Sequence, residues 1–292
     1  MRSTVLGCDD AAVPFTVSHA VVAFAARRTA LPVAAVAAGS MAPDAVLFVP
    51  WLPPYAFTHS WAGVVTVDLA VALVVVAAWW WLVRPAWTAA LPAVARRVPE
   101  AWSTPPHPAV GTAAWTVVAC VVGSVTHVAW DAFSHPHGWV VQRVALLRVD
   151  VAGHPAWAVV QDASSALGLL ALLAALAVWW RRAGRRERVG HGSRAGREAR
   201  VVLGAVVALV VGVTLVRCGR VALVGGGPGA VLVTGAFTIP PVVAVALVAG
   251  AVALLVLRAR RAAGQVRPEA GPVRPEAGPG GTPPGPPGTP MR

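Results

Sequence analysis

The chain has 292 residues, 57% of them hydrophobic and only 12% charged, with a formal net charge of +12 at pH 7 and a mean hydropathy of +0.67. A water-soluble domain carries about 25% charged residues, so the composition excludes an ordinary soluble globule. It also argues against a nucleic-acid partner: all 24 basic residues are arginine, and most lie at the ends of apolar runs, where membrane proteins place them.

In chain order, the first apolar stretch covers residues 18–39 and is broken by Arg27-Arg28 and then by Leu31-Pro32. One straight span would bury both arginines at mid-membrane, at a cost of several kcal/mol. Two short helices meeting near Arg27-Arg28 avoid that cost, and such a hairpin returns Asp44 to the side of His19. Five further apolar runs follow, at 61–83, 110–130, 156–180, 201–216 and 231–257, the fourth of them shorter than the rest. A spanning helix needs ~20 mostly apolar residues, because no backbone group can be left unpaired in hydrocarbon. Trp79, Trp80 and Trp81 close the first of these runs and Trp179-Trp180 the third, as interfacial aromatics do.

From residue 263 the chain is rich in Pro and Gly, and Val-Arg-Pro-Glu-Ala-Gly-Pro occurs twice in tandem, at 266–272 and 273–279. Such a segment cannot bury enough apolar surface to fold and is expected to be disordered. The expected fold is therefore all-α: a polytopic transmembrane helical bundle with an N-terminal short-helix hairpin and a disordered C-terminal tail. Its expected parts are 1–12, 13–180 as the core membrane domain, 181–200 as an arginine-rich loop, 201–262 as two further spans, and 263–292 as the tail.

Orientation is read from the arginines. The connection after the first long run holds Arg84, Arg96 and Arg97, and the one after the third holds eight arginines between 181 and 200. Arg258, Arg260 and Arg261 follow the last run. The alternate connections are poorer, with Arg143 and Arg148 in one and Arg217 and Arg220 in the other. The positive-inside rule then makes the arginine-rich loops and the C-terminus cytoplasmic, with His59, His127, Asp131 and His135 on the outer face of a cell membrane. Membrane lipids are the expected partners.

Cys8, Cys120 and Cys218 have no metal-ligand spacing and no disulfide framework. The run Gly225-Gly226-Gly227-Pro228-Gly229 lacks a following Lys-Ser/Thr and reads as a turn rather than a phosphate loop. Ser164-Ser165 has no nucleophile elbow around it and reads as small-residue helix packing.

The ionisable residues inside apolar runs carry the chemistry. Asp44, Asp68, Asp131 and Asp162 and four histidines, His19, His59, His127 and His135, sit within or beside them, and an intramembrane ionisable group reads as functional by default. In Thr126-His127-Val128-Ala129-Trp130-Asp131-Ala132-Phe133-Ser134-His135, His127 and Asp131 share one helix face. Imidazole and carboxylate at that spacing can grip a divalent metal; the alternative is a metal-free His–Asp hydrogen bond. Thr58-His59-Ser60 and Ala42-Pro43-Asp44 lie on the same expected side, and mixed nitrogen and oxygen donors suit zinc best, then manganese or iron. Asp68 is nine residues from His59, half a turn out of phase on a continuous helix. His107, His137, His154 and His191 read as solvated loop residues.

At these residues the sequence resembles a bacterial membrane family catalogued as domain of unknown function 4184. The resemblance runs through Pro14-Phe15-Thr16-Val17-Ser18-His19, Gly39-Ser40-Met41-Ala42-Pro43-Asp44, Thr58-His59-Ser60 and the His127 segment, covering roughly 14–180. Such proteins tend to begin just before Pro-Phe-Thr, where this chain has Val13, which implies that 1–12 is an upstream extension. The order of motifs is also similar, more distantly, to membrane-bound metal-dependent hydrolases related to zinc phospholipase C.

The functional expectation is a metal-dependent hydrolase acting on a lipid or lipid-linked ester at the outer membrane face. His19, Asp44, His59, His127, Asp131 and His135 are the candidate ligands, and Asp131 doubles as the candidate base that orients water. A proton-coupled permease using the same residues as a relay, or a non-catalytic membrane scaffold, are the alternatives.

Overall fold

A computed structural model describes residues 16–104, 110–184 and 193–265. The proposed extension at 1–12, Cys8, His107, His191, the middle of the arginine-rich loop and the tandem-repeat tail lie outside the described residues. By its contacts the chain divides into a unit ending at Val256 and a second beginning at Leu257; the described part of the second is the end of the last helix.

The fold is all-α and polytopic. Among the described residues five helices are long and apolar enough to cross a membrane: Trp61–Ala90, Gly111–Arg143, Ala156–Arg182, Gly196–Leu223 and Pro228–Ala263. The only strands described are two residues each, Asp150–Val151 paired with His154–Pro155.

The N-terminal hairpin forms as charge cost requires. Helix α1 (Thr16–Ala26) is 3-10 over Thr16–Val22. Its partner α2 (Val33–Met41) begins directly after Pro32, whose fixed φ suits a helix start. Arg27 and Arg28 are exposed at the turn. Arg27 shares one cavity wall with Arg84, Trp79 and Trp102, so the turn reaches the arginine-rich end of the bundle and neither charge is stranded at mid-depth.

Helix α2 is then clamped against α5 (Val110–Ser134) by two glycines. A Cβ on Gly39 would lie 2.1 Å from the Cys120 carbonyl oxygen, and one on Gly123 2.3 Å from that of Val36. In a bilayer, lipid tails are as apolar as leucine, so close backbone approach between small residues is what holds helices together. Ala35, Val36, Ala38, Ala72, Ala119 and Cys120 fill this contact, and the Ser124 hydroxyl donates to Gly39 O at 3.1 Å.

The short helix α3 (Tyr55–Thr58) leads into α4 (Trp61–Ala90). Ser60 starts α4 by accepting the Gly63 N–H at 3.1 Å. Helix α4 carries two π-helical segments, Val64–Asp68 and Ala78–Val83. Beyond α5 come α6 (Ala156–Arg182), α7 (Ser193–Leu223) and α8 (Pro228–Gln265). Pro240 and Pro241 stay inside α8, as membrane helices tolerate. Trp87 ties α4 to α8 by donating to Leu247 O at 3.0 Å.

Candidate metal centre

Four elements deliver side chains to one end of the bundle. Asp44 lies on the 3-10 turn Pro43–Leu47 that follows α2. His59 caps the end of α3. His127 and Asp131 project from one face near the end of α5, and His135 follows where that helix stops, with its N–H on Asp131 O at 3.0 Å. His19 sits midway along α1.

Asp44, His59, His127 and Asp131 each offer one ligand atom, and these atoms all lie within 4.8 Å of one another. The distances are informative. His59 Nε2 is 3.3 Å from His127 Nε2; both are 3.2 Å from Asp131 Oδ2; Asp44 Oδ1 is 3.5 Å from His127 Nε2 and 3.8 Å from that of His59. Zinc bonds of about 2.0–2.1 Å in a tetrahedron require donor atoms about 3.3 Å apart. Four of the six edges lie within about 0.2 Å of that value, a fifth is 3.8 Å, and none exceeds 4.8 Å, so the residues present could hold a four-coordinate divalent ion with a small adjustment of Asp44.

The atoms behind the ligands orient them. His127 Nδ1 meets Ser40 O at 2.8 Å, and His59 Nδ1 meets Tyr55 O at 3.1 Å. A carbonyl oxygen only accepts, so each Nδ1 donates to it, and each ring is turned so that its Nε2 faces the carboxylates as the atom that would ligate an ion. The Gly39 and Gly123 contact lets α5 come close enough for the Ser40 bond. Thr16 donates to Asp44 Oδ2 at 2.8 Å, and Tyr55 to Asp131 Oδ2 at 3.0 Å. Asp44 Oδ1 and Asp131 Oδ1 are buried with no hydrogen-bond partner. Buried carboxylate oxygens are rarely left so unless they serve an ion or a proton.

Burial alone would raise the Asp44 pKa, but the charge and hydrogen bond of His127, with the Thr16 hydroxyl, hold it below the ordinary carboxylate value. Burial, and then the charges of Asp131 and Asp44, push the Tyr55 phenol far above its ordinary value, so it acts as a donor and stays protonated.

The other two expected ligands stand beside the quartet. His19 Nε2 is 3.7 Å from Asp131 Oδ1, and its ring lies 4.0 Å from that of His127. His135 Nε2 is 3.3 Å from Asp131 Oδ2 and 3.4 Å from the side-chain nitrogen of Gln161. His137 and His154 are exposed. Sequence reasoning missed Tyr55, which stacks on His59 with centroids 3.6 Å apart; as the chain's single tyrosine, four residues before a histidine, it was findable. It also missed Thr16 and Ser40, whose roles depend on tertiary approach.

Asp68 is fully buried and neither carboxylate oxygen has a hydrogen-bond partner. The half-turn offset assumed one continuous helix from His59. Instead Ser60 restarts the helix, and the π segment ending at Asp68 changes its phase. Asp68 lies outside the ligand quartet.

The sequence profile of a family described as a domain of unknown function, DUF4184, matches residues 13–259. The chain belongs to this family. The match extends through both C-terminal spans, beyond the 14–180 region where the motifs lie. No curated protein and no solved structure matches the chain.

Proposed function

For this member of the family, we propose a membrane-embedded, metal-dependent hydrolase that acts on a lipid or lipid-linked ester. The observation that carries this reading is the pair of imidazole Nε2 atoms 3.3 Å apart, both turned inward and flanked by two buried carboxylates. Two nitrogens and two oxygens favour zinc. Such an ion lowers the pKa of its water to about 7 and so supplies a nucleophile without a serine.

The chain's own groups take the remaining tasks. Asp44, His59, His127 and Asp131 bind the ion. Asp131 Oδ1, free of hydrogen bonds, accepts the proton of the attacking water, and Tyr55 keeps that carboxylate in place. Hydrolysis joins the water oxygen to the acyl carbon or phosphorus, breaks the ester bond, and returns the proton to the leaving oxygen. His19 and His135, beside Asp131, suit contact with the polar part of the substrate. The arginine distribution supports an orientation with the C-terminus cytoplasmic and this site at the outer face.

Metal analysis of the purified protein together with ester hydrolysis in proteoliposomes tests the reading. One divalent ion per chain, lost in H127A and D131A along with turnover, is the expected result. Absence of bound metal, with activity unchanged in both variants, would refute it. Solute transport without hydrolysis would point to a permease, although the ionisable groups gather at one end of the bundle rather than along a path through it.

A further inference from the structure

A cavity of about 460 Å³ opens beside the metal centre, between α1, α5 and α6. His19 and His127 line its polar end, and Val22, Leu167 and Ala171 line the remainder. Its walls are positioned by depth. On α6 the lining runs from Ser164 to Ala171, roughly 12 to 22 Å from the helix start at 1.5 Å per residue. On α5 it runs from Trp130 back to Thr126, roughly 6 to 12 Å from the helix end. The cavity therefore starts at the ligand quartet and continues toward the bilayer midplane.

The cavity also opens sideways. Leu167 is 66% exposed and Trp130 43% exposed, on helices that both span the membrane, so this flank faces lipid. Helix α6 packs closely on α1 at Gly168, where a Cβ would come within 2.9 Å of Ser18 Cβ. The Trp130 indole N–H donates to the Ser164 hydroxyl at 3.2 Å, joining α5 to α6 at the rim. The space is thus polar at the metal and apolar away from it, the polarity of an amphiphile lying with its head at the interface.

We propose that this cavity seats one long acyl or alkyl chain, admitted laterally from the bilayer between α5 and α6, which places the ester end of the same lipid at the metal centre. The proposal rests on the metal-centre reading and names its substrate class: a membrane-resident ester with an unbranched hydrocarbon tail, rather than a water-soluble ester arriving from outside.

Alkyl hydroxamates, whose head group chelates divalent metals, test it as a series of increasing chain length. Their affinity for the zinc-loaded protein is measured calorimetrically, with free concentrations corrected for partition into detergent. Affinity should rise by up to about fourfold per methylene and level off once the cavity is filled. A171W and L167W, checked for equal zinc content, should level off at shorter chains. Chain-length independence with tight short-chain binding overturns the acyl cavity but leaves the metal centre standing. A length dependence untouched by both variants also overturns the cavity, because the tail is then held elsewhere. Failure of zinc itself to bind overturns the metal-centre reading on which the proposal rests.

Discussion

The Nε2 atoms of His59 and His127 face one another at 3.3 Å, while each ring's Nδ1 meets a backbone carbonyl oxygen, that of Tyr55 or Ser40. Each Nε2 is thereby held inward, where it can ligate a divalent ion. The protein should therefore bind one zinc per chain, read by elemental analysis after gel filtration. Free zinc at about 100 times Kd should stabilise the fold by about 2.7 kcal/mol. Equal thermal stability with and without a chelator would contradict this.

The orienting shell should matter nearly as much as the ligands. T16V removes the donor to Asp44 and Y55F the donor to Asp131. Each should weaken zinc affinity about 10–100-fold while leaving the helix content unchanged. Competition with a chromophoric chelator measures the affinity directly. Wild-type affinity in both variants would show that the carboxylates need no such support.

Gly39 is the test of the helix clamp. In G39A the new methyl meets the Cys120 carbonyl, 2.1 Å from the ideal Cβ position, and backbone cannot swing aside as a side chain can. Overpacking of this kind costs about 1–3 kcal/mol or more. Because the same approach brings Ser40 O to His127, G39A should lose zinc affinity as well as thermal stability. A destabilised variant with unchanged zinc binding would separate the clamp from the site.

Asp68 should behave in the opposite sense. An ionised carboxylate with no partner inside a spanning helix is costly, and its neutral isostere has nearly the same shape. D68N should therefore unfold at the same temperature as wild type or higher, and it should keep its zinc because Asp68 lies outside the quartet. A marked drop in either quantity would reveal a partner for the carboxylate.

The orientation inferred from the arginines predicts opposite behaviour of two reporters at the C-terminus. A green fluorescent protein fusion should fluoresce, and an alkaline phosphatase fusion should stay inactive. The reverse pattern would move the site to the cytoplasmic face.

The sequence by itself determined that this chain lies in a bilayer, that Arg27 and Arg28 bend its first apolar stretch into a hairpin, and that His127 and Asp131 share a face. Each follows from a local rule: the length of an apolar run, the cost of a buried charge, the 3.6-residue helical period. Only the tertiary structure decided that Asp44 and His59 reach that face at ligand distance, because two glycines bring α2, and Asp44 after it, against α5, while His59 arrives from the separate helix α3. It alone placed Tyr55 and Thr16 behind the carboxylates, and it left Asp68 outside the quartet as expected, though on a helix that restarts at Ser60. A capped restart at Ser60 and a π segment rotate a helix in a way that counting residues along one continuous 3.6-residue period does not register.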